Sequence, residues 1–80
     1  MKSYYITCIV YYTDYGNDGI PCHGNEVYSL IIREKSEKKA KNKAEIEALE
    51  IFNDELNDGN LSNIIVVIDD IYETSDDARK

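Results

Sequence analysis

The sequence predicts an α+β fold in one domain: a three-stranded β-sheet with a single helix packed on one face, in the order β-β-α-β. Three segments are dense in β-branched and aromatic residues, and residues 36–56, between the second and the third, contain no Gly or Pro. The chain has 80 residues, of which 42% are hydrophobic. That supply is enough for one small core, but not for a second domain or a deep pocket. We therefore expect residues 1–80 to form a single domain.

The first two predicted strands span residues 4–13 and 26–34. No residue in the first is charged, which is typical of a central strand. Alternation divides its side chains between two faces. We expect the more polar set to face outward: Tyr5, Thr7, Ile9, Tyr11 and Thr13. The connection, residues 14–25, is rich in Gly, Asn and Asp and is predicted to be a loop.

The predicted helix spans residues 36–57. Ser36 is a favoured N-cap, and Gly59 is a natural C′ residue. Small and apolar side chains recur at spacings of three and four, and these would face the sheet: Ala40, Ala44, Ala48, Ile51 and Phe52, with Leu56 near the edge. The alanines would let the helix approach the sheet closely.

The third predicted strand, residues 63–72, is the most hydrophobic, and a polar tail, residues 74–80, follows it. If the helix returns the chain across the sheet, this strand lies beside the first, in the spatial order 2-1-3. The alternative order is 1-2-3, with a right-handed parallel crossover.

Charge is unevenly distributed along this acidic chain. The formal charge is −7 in total, +4 over residues 33–43 and −9 over residues 44–80. An acidic surface attracts basic patches on proteins and repels nucleic acid and anionic membranes.

Residue types that carry catalysis or bind metals are scarce. Cys8, Cys22 and His23 are too few for a structural zinc site or a disulfide scaffold, and neighbours such as Cys22 and His23 seldom point at each other. No phosphate-loop or dinucleotide motif is present. We therefore expect no enzyme activity, no cofactor and no metal. No run approaches the ~20 apolar residues of a membrane span, so we expect a cytoplasmic protein with free thiols and no membrane partner.

A basic segment surrounds the start of the helix, where the helix dipole favours anions. Its lysines include Lys38, Lys39, Lys41 and Lys43. The segment from Ser36 resembles the start of the second helix of double-stranded RNA-binding domains. That resemblance implies phosphate contacts by Lys38, Lys39 and Lys41. A phosphate- or RNA-binding module is thus an alternative function, although the overall charge opposes nucleic acid.

The acidic part of the chain indicates a different function, because an array of carboxylates can occupy a groove built for phosphates. The carboxylates that we expect to contact a partner are Glu45, Glu47, Glu50, Asp54, Asp69 and Asp70. In size, acidity and its plan of one helix on a sheet, the chain resembles the small phage-encoded anti-CRISPR and related anti-defence inhibitors. The resemblance implies a protein partner with a basic surface, inside the host cell.

Aromatic and aliphatic side chains on the outer sheet face would support protein contact. Tyr5, Tyr11 and the loop residue Tyr15 are the predicted aromatic contacts. Tyr5, Ile9, Tyr11, Val27 and Ile31 would form an apolar patch. Formation of a homodimer is the simplest way to bury such a patch. A homo-oligomeric structural protein is therefore a third interpretation of the sequence.

Overall fold

A computed structural model describes residues 1–56 and 59–74 of the chain. Its elements, in chain order, are β1 (Lys2–Asp14), β2 (Cys22–Glu34), α1 (Glu37–Glu55) and β3 (Leu61–Thr74). The strands form one three-stranded sheet in the order β2-β1-β3, and both pairings are antiparallel. The predicted α+β class and the order 2-1-3 are confirmed. The order 1-2-3 is wrong, because β3 pairs with β1 and no parallel crossover exists.

β1, which carries no charge between Lys2 and Asp14, is the central strand, and its two sides differ as predicted. Thr13, which we expected to face outward, is nevertheless buried, at 5% exposure. The core side of β1 carries Tyr4, Ile6, Cys8 and Val10, each 4% exposed or less. α1 covers this side of the sheet and runs alongside β1 towards Tyr12, whose ring centroid lies 5.3 Å from that of Phe52. The opposite side of the sheet faces outward without a covering element among the described residues.

The strands are longer than predicted, and β2 begins at Cys22 instead of residue 26. Gly24 lies opposite Tyr12 in the β1–β2 register. A Cβ added at Gly24 would lie 2.7 Å from the Tyr12 ring, so the ring covers the glycine at close range. Residues typical of turns are thus held in the ladder by their cross-strand partners, and the connecting loop shrinks to residues 15–21.

α1 begins as predicted: Ser36 is the N-cap, and its side-chain oxygen accepts a hydrogen bond from the backbone N–H of Lys39 at 3.3 Å. The side chains that are fully buried form a strict four-residue stripe: Ala40, Ala44, Ala48 and Phe52. Ile51 is only half-buried, and Leu56 is exposed.

The helix ends earlier than predicted, at Glu55, with Leu56 as its C-cap. Gly59 has a φ of +96°, but it lies beyond the C′ position that we predicted for it. Residues 57 and 58 fall outside the described residues. Of the predicted tail, 74–80, Thr74 belongs to β3 and the remainder also lies outside the described residues.

β3 extends the predicted strand at both ends and carries two irregularities in its pairing with β1. Asp69 is an extra residue, because Thr7 pairs with Asp70 whereas Cys8 pairs with Ile68. A second shift lies opposite Tyr12, where Asn63 adopts a φ of +54°. The bulge at Asp69 reverses the alternation of the residues that follow it.

Candidate functional site

The uncovered side of the sheet, which we call the outer face, consists of six rows of cross-strand neighbours in the order β2, β1, β3. From one end to the other the rows are Arg33–Ser3–Thr74, Ile31–Tyr5–Tyr72, Ser29–Thr7–Asp70, Val27–Ile9–Val67, Asn25–Tyr11–Ile65 and His23–Thr13–Ser62. The large apolar side chains thus concentrate in three of the six rows.

These apolar side chains are open to solvent. Six of them are between 40% and 68% exposed: Tyr11, Val27, Ile31, Ile65, Val67 and Tyr72. The rings of Tyr5 and Tyr72 contact each other across β1 and β3, with centroids 5.4 Å apart. The predicted apolar patch is therefore present, and the observed patch is larger than the predicted one.

The sequence analysis missed the part of this face that β3 supplies. The signal for Ile65 and Val67 was present, because alternate side chains of an apolar strand must point away from the helix when only one face is covered. No comparable signal existed for Tyr72, since the bulge at Asp69 decides which way it points.

The outer face is nearly neutral although the chain is strongly acidic. Arg33 and Asp70 are the only residues in the six rows with a formal charge when His23 is neutral. The other charged side chains among the described residues lie at the two ends of β1, on β2 and β3 outside these rows, on α1 and in the connections.

A second surface, which we call the acidic flank, lies on α1 and consists of Glu47, Glu50 and Asp54. Their spacing of three and four residues puts them on one side of the helix. Lys43 is on the same side, and its Nζ lies 4.0 Å from a carboxylate oxygen of Glu34 on β2. The acidic flank therefore faces the β2 edge. Among the described residues, none of its three carboxylates forms an ion pair.

The other predicted partner carboxylates lie elsewhere. Glu45 is two residues, or about 200° of helical rotation, from Glu47, and so it lies on the opposite flank of α1. Asp69 is exposed on the β3 edge at the bulge, and Asp70 lies on the outer face.

The predicted tyrosine contacts are also divided. Tyr5 and Tyr11 lie on the outer face, with the sheet between them and α1. Tyr15 is exposed in the β1–β2 loop, and its backbone N–H donates to the Asn60 carbonyl at 3.4 Å. The fold therefore does not bring the predicted partner residues together on one surface.

The four predicted phosphate-binding lysines do not converge. Lys41 and Lys43 are two residues apart and lie on opposite flanks of α1. Each is already close to a carboxylate: the Lys41 Nζ lies 3.4 Å from Glu37, and Lys43 is the partner of Glu34. Lys38 and Lys39 are exposed in the first turn, where the Ser36 side chain occupies the Lys39 N–H. This arrangement gives no shared anion pocket.

The cysteines and the histidine are likewise dispersed. Cys8 is buried, and its thiol donates to the Ala44 carbonyl at 3.9 Å. Burial, and secondarily the charge of Glu45, raises the pKa of the Cys8 thiol, which makes it a poor nucleophile. Cys22 is exposed, and the adjacent His23 has its Nδ1 3.2 Å from the Thr13 Oγ1.

Since consecutive strand residues point to opposite faces, Cys22 and His23 do not form a nucleophile–base pair. No group of three metal-ligating side chains is gathered within the described residues.

Comparison of the chain with protein-family models, with curated proteins and with solved structures found no match. Within residues 1–56 and 59–74, α1 is not apolar enough to cross a lipid bilayer, and no other helix is present.

Proposed function

We propose that this chain is a non-catalytic binding protein that occludes a basic, nucleic-acid-binding surface of a protein partner. The contact is made by the acidic flank of α1: Glu47, Glu50 and Asp54. This is the mode of action implied by the resemblance to small phage-encoded anti-defence inhibitors, and the partner belongs to the class of nucleic-acid-handling proteins.

The observation that carries the proposal is the separation of charge in the fold. The lysines of α1 lie in its first half, where Lys41 and Lys43 are compensated by Glu37 and Glu34. The acidic flank occupies the second half without a compensating cation among the described residues. Carboxylates held on one side of a packed helix need little reorganisation to meet lysines and arginines, so they steer a basic partner to this side.

The chemistry of the remaining side chains supports binding over catalysis. The thiol of Cys8 is enclosed in the core with a raised pKa, and the hydroxyl that His23 contacts belongs to Thr13, which is buried. Phosphate binding by the lysines is the weaker proposal, because Lys41 and Lys43 diverge across the helix and are both paired.

The test begins with capture of a partner from a nuclease-treated bacterial lysate, followed by measurement with the purified pair. We expect the wild-type chain to displace nucleic acid from that partner. Changing Glu47, Glu50 and Asp54 together to Lys should weaken partner binding at least about tenfold, because three attractive contacts become repulsive. Circular dichroism reports whether the variant still folds.

The matched comparison is Glu45, Asp69 and Glu73 changed together to Lys, which alters the net charge equally but away from the acidic flank and the outer face. We expect this variant to bind within a few-fold of wild type. The proposal fails if the two variants lose affinity equally, since net charge alone would then explain binding. It also fails if the captured protein still binds nucleic acid when saturated with this chain.

A further inference from the structure

We propose that the outer face packs against the outer face of a second copy of this chain, so that the protein is a two-fold symmetric β-sandwich dimer in solution. The inference is independent of the proposed function, because α1 and its acidic flank lie on the other side of the sheet.

The outer face offers enough area for a stable contact. Three strands about 4.8 Å apart and ten residue steps of about 3.3 Å give a flat area of roughly 500 Å² for each copy. Two such faces bury roughly 1,000 Å², and the corrugation of the side chains adds to that figure. This reaches the ~1,000 Å² that a specific protein interface requires.

The outer face is also complementary to itself. A two-fold axis parallel to β1 places each row over the same row of the other copy, with β2 over the other β3. At the centre, Val27 then meets the partner subunit's Val67, and Ser29 meets the partner subunit's Asp70. Apolar rows cover apolar rows and polar rows cover polar rows, as an isologous interface requires. Two sheets that pack about 10 Å apart in this way are the ordinary aligned β-sandwich.

The distribution of charge favours the same contact. Two copies that each carry −7 repel one another, so they associate through a surface that excludes most of that charge. The outer face meets this condition, since its six rows contain only Arg33 and Asp70 as formal charges. A strongly basic partner meets a single carboxylate on this face, Asp70, whose charge Arg33 balances. Residues 75–80 contain no large apolar side chain.

Light scattering coupled to size exclusion tests the proposal. We expect a mass near twice 9.2 kDa for the wild-type chain. Tyr11→Glu adds a carboxylate to the outer side of β1. Because β1 is the central strand, this carboxylate would not contact a second copy that paired with a sheet edge. The buried charge should raise the dimer dissociation constant on the order of a hundredfold or more, giving a monomer at the same concentration.

The matched control is Ile46→Glu. Ile46 is 60% exposed on the outer side of α1, so this variant adds the same charge away from the outer face and should remain a dimer. Ile31→Glu, at a position 68% exposed on β2, is a second disruptive variant if Tyr11→Glu proves unfolded by circular dichroism.

A monomeric wild-type chain at millimolar concentration overturns the proposal, whatever other partner the outer face binds. So does a dimer that Ile46→Glu dissociates, or one that survives both Tyr11→Glu and Ile31→Glu, since the contact would then lie on the helix or a sheet edge.

Discussion

At the scale of single residues, Tyr28 departs most clearly from ordinary packing. It lies on the core side of β2 opposite Cys8, and its hydroxyl is buried without a hydrogen-bond partner among the described residues. Burial raises the pKa of Tyr28, and the charges of Glu26 and Glu55 add to the effect. A buried polar group without a partner costs free energy, so this hydroxyl opposes folding at neutral pH.

The raised pKa values of Tyr28 and Cys8 predict that stability declines at alkaline pH. Each group keeps its proton in the folded chain at a pH where the unfolded chain has lost it. The stabilisation is thus complete below the unfolded pKa and is lost as the pH rises through the folded one. Urea titrations should show the free energy of unfolding falling above about pH 9, where free thiols and phenols begin to ionise.

Tyr28→Phe is the control for this pH dependence. It removes the orphaned hydroxyl, so at pH 7 we expect a stability equal to wild type or higher by up to about 1 kcal/mol. The free energy of unfolding of this variant should fall less steeply at alkaline pH, because only the Cys8 thiol still contributes to the decline. A variant destabilised by more than about 1 kcal/mol would mean that the hydroxyl has a partner after all.

At the scale of elements, the contact between α1 and the sheet depends on three alanines. Ala40, Ala44 and Ala48 are completely buried, and the Ala44 carbonyl lies 3.9 Å from the Cys8 thiol. A helix can come this close only where its facing side chains are small. The stripe therefore sets the distance between helix and sheet, and no space remains there for a longer side chain.

Ala44→Leu should destabilise the protein by about 1–3 kcal/mol, because the added atoms force α1 away from β1. Asn42→Leu, at an exposed position on the same helix, is the matched control and should lie within about 0.5 kcal/mol of wild type. Chemical denaturation measures both. Equal stability of the two variants would contradict the close packing described here.

At the scale of the whole molecule, β1 is the element that contacts both other strands and α1. It is hydrogen-bonded on both sides, supplies the middle of the core and separates the outer face from α1. β2 and β3 each have one open edge. Opening of the fold should therefore begin at these edges and reach β1 last.

Amide hydrogen exchange measures this difference directly. We expect the slowest amides in β1 and faster exchange at alternate, outward-pointing amides of β2 and β3. Face-to-face packing leaves both edges open, so a dimer of that kind keeps the pattern. Uniform protection along β2 or β3 would contradict it and would indicate pairing between sheet edges.

Some features of the fold depend only on local pattern. The element order, the N-cap at Ser36 and the uncharged composition of the central strand are visible in the chain itself. Side-chain periodicity also predicts which side of an uninterrupted strand such as β1 faces the core, and which stripe of α1 faces the sheet. Both predictions are confirmed. The placement of the predicted partner residues was less accessible from the sequence, because Glu47 and Tyr11 were assigned to the same contact but lie on opposite sides of the sheet.

The sequence by itself therefore determined the α+β class, the helix face and the inner and outer sides of β1, because each follows from residues a few positions apart. Only the tertiary structure decided where the strands end, since residues 22–25 pair with β1 and Gly24 lies against the ring of Tyr12. It also decided, through the bulge at Asp69, that Tyr72 joins Tyr5 on the outer face. These features depend on cross-strand pairing between distant segments, and no local pattern specifies that register.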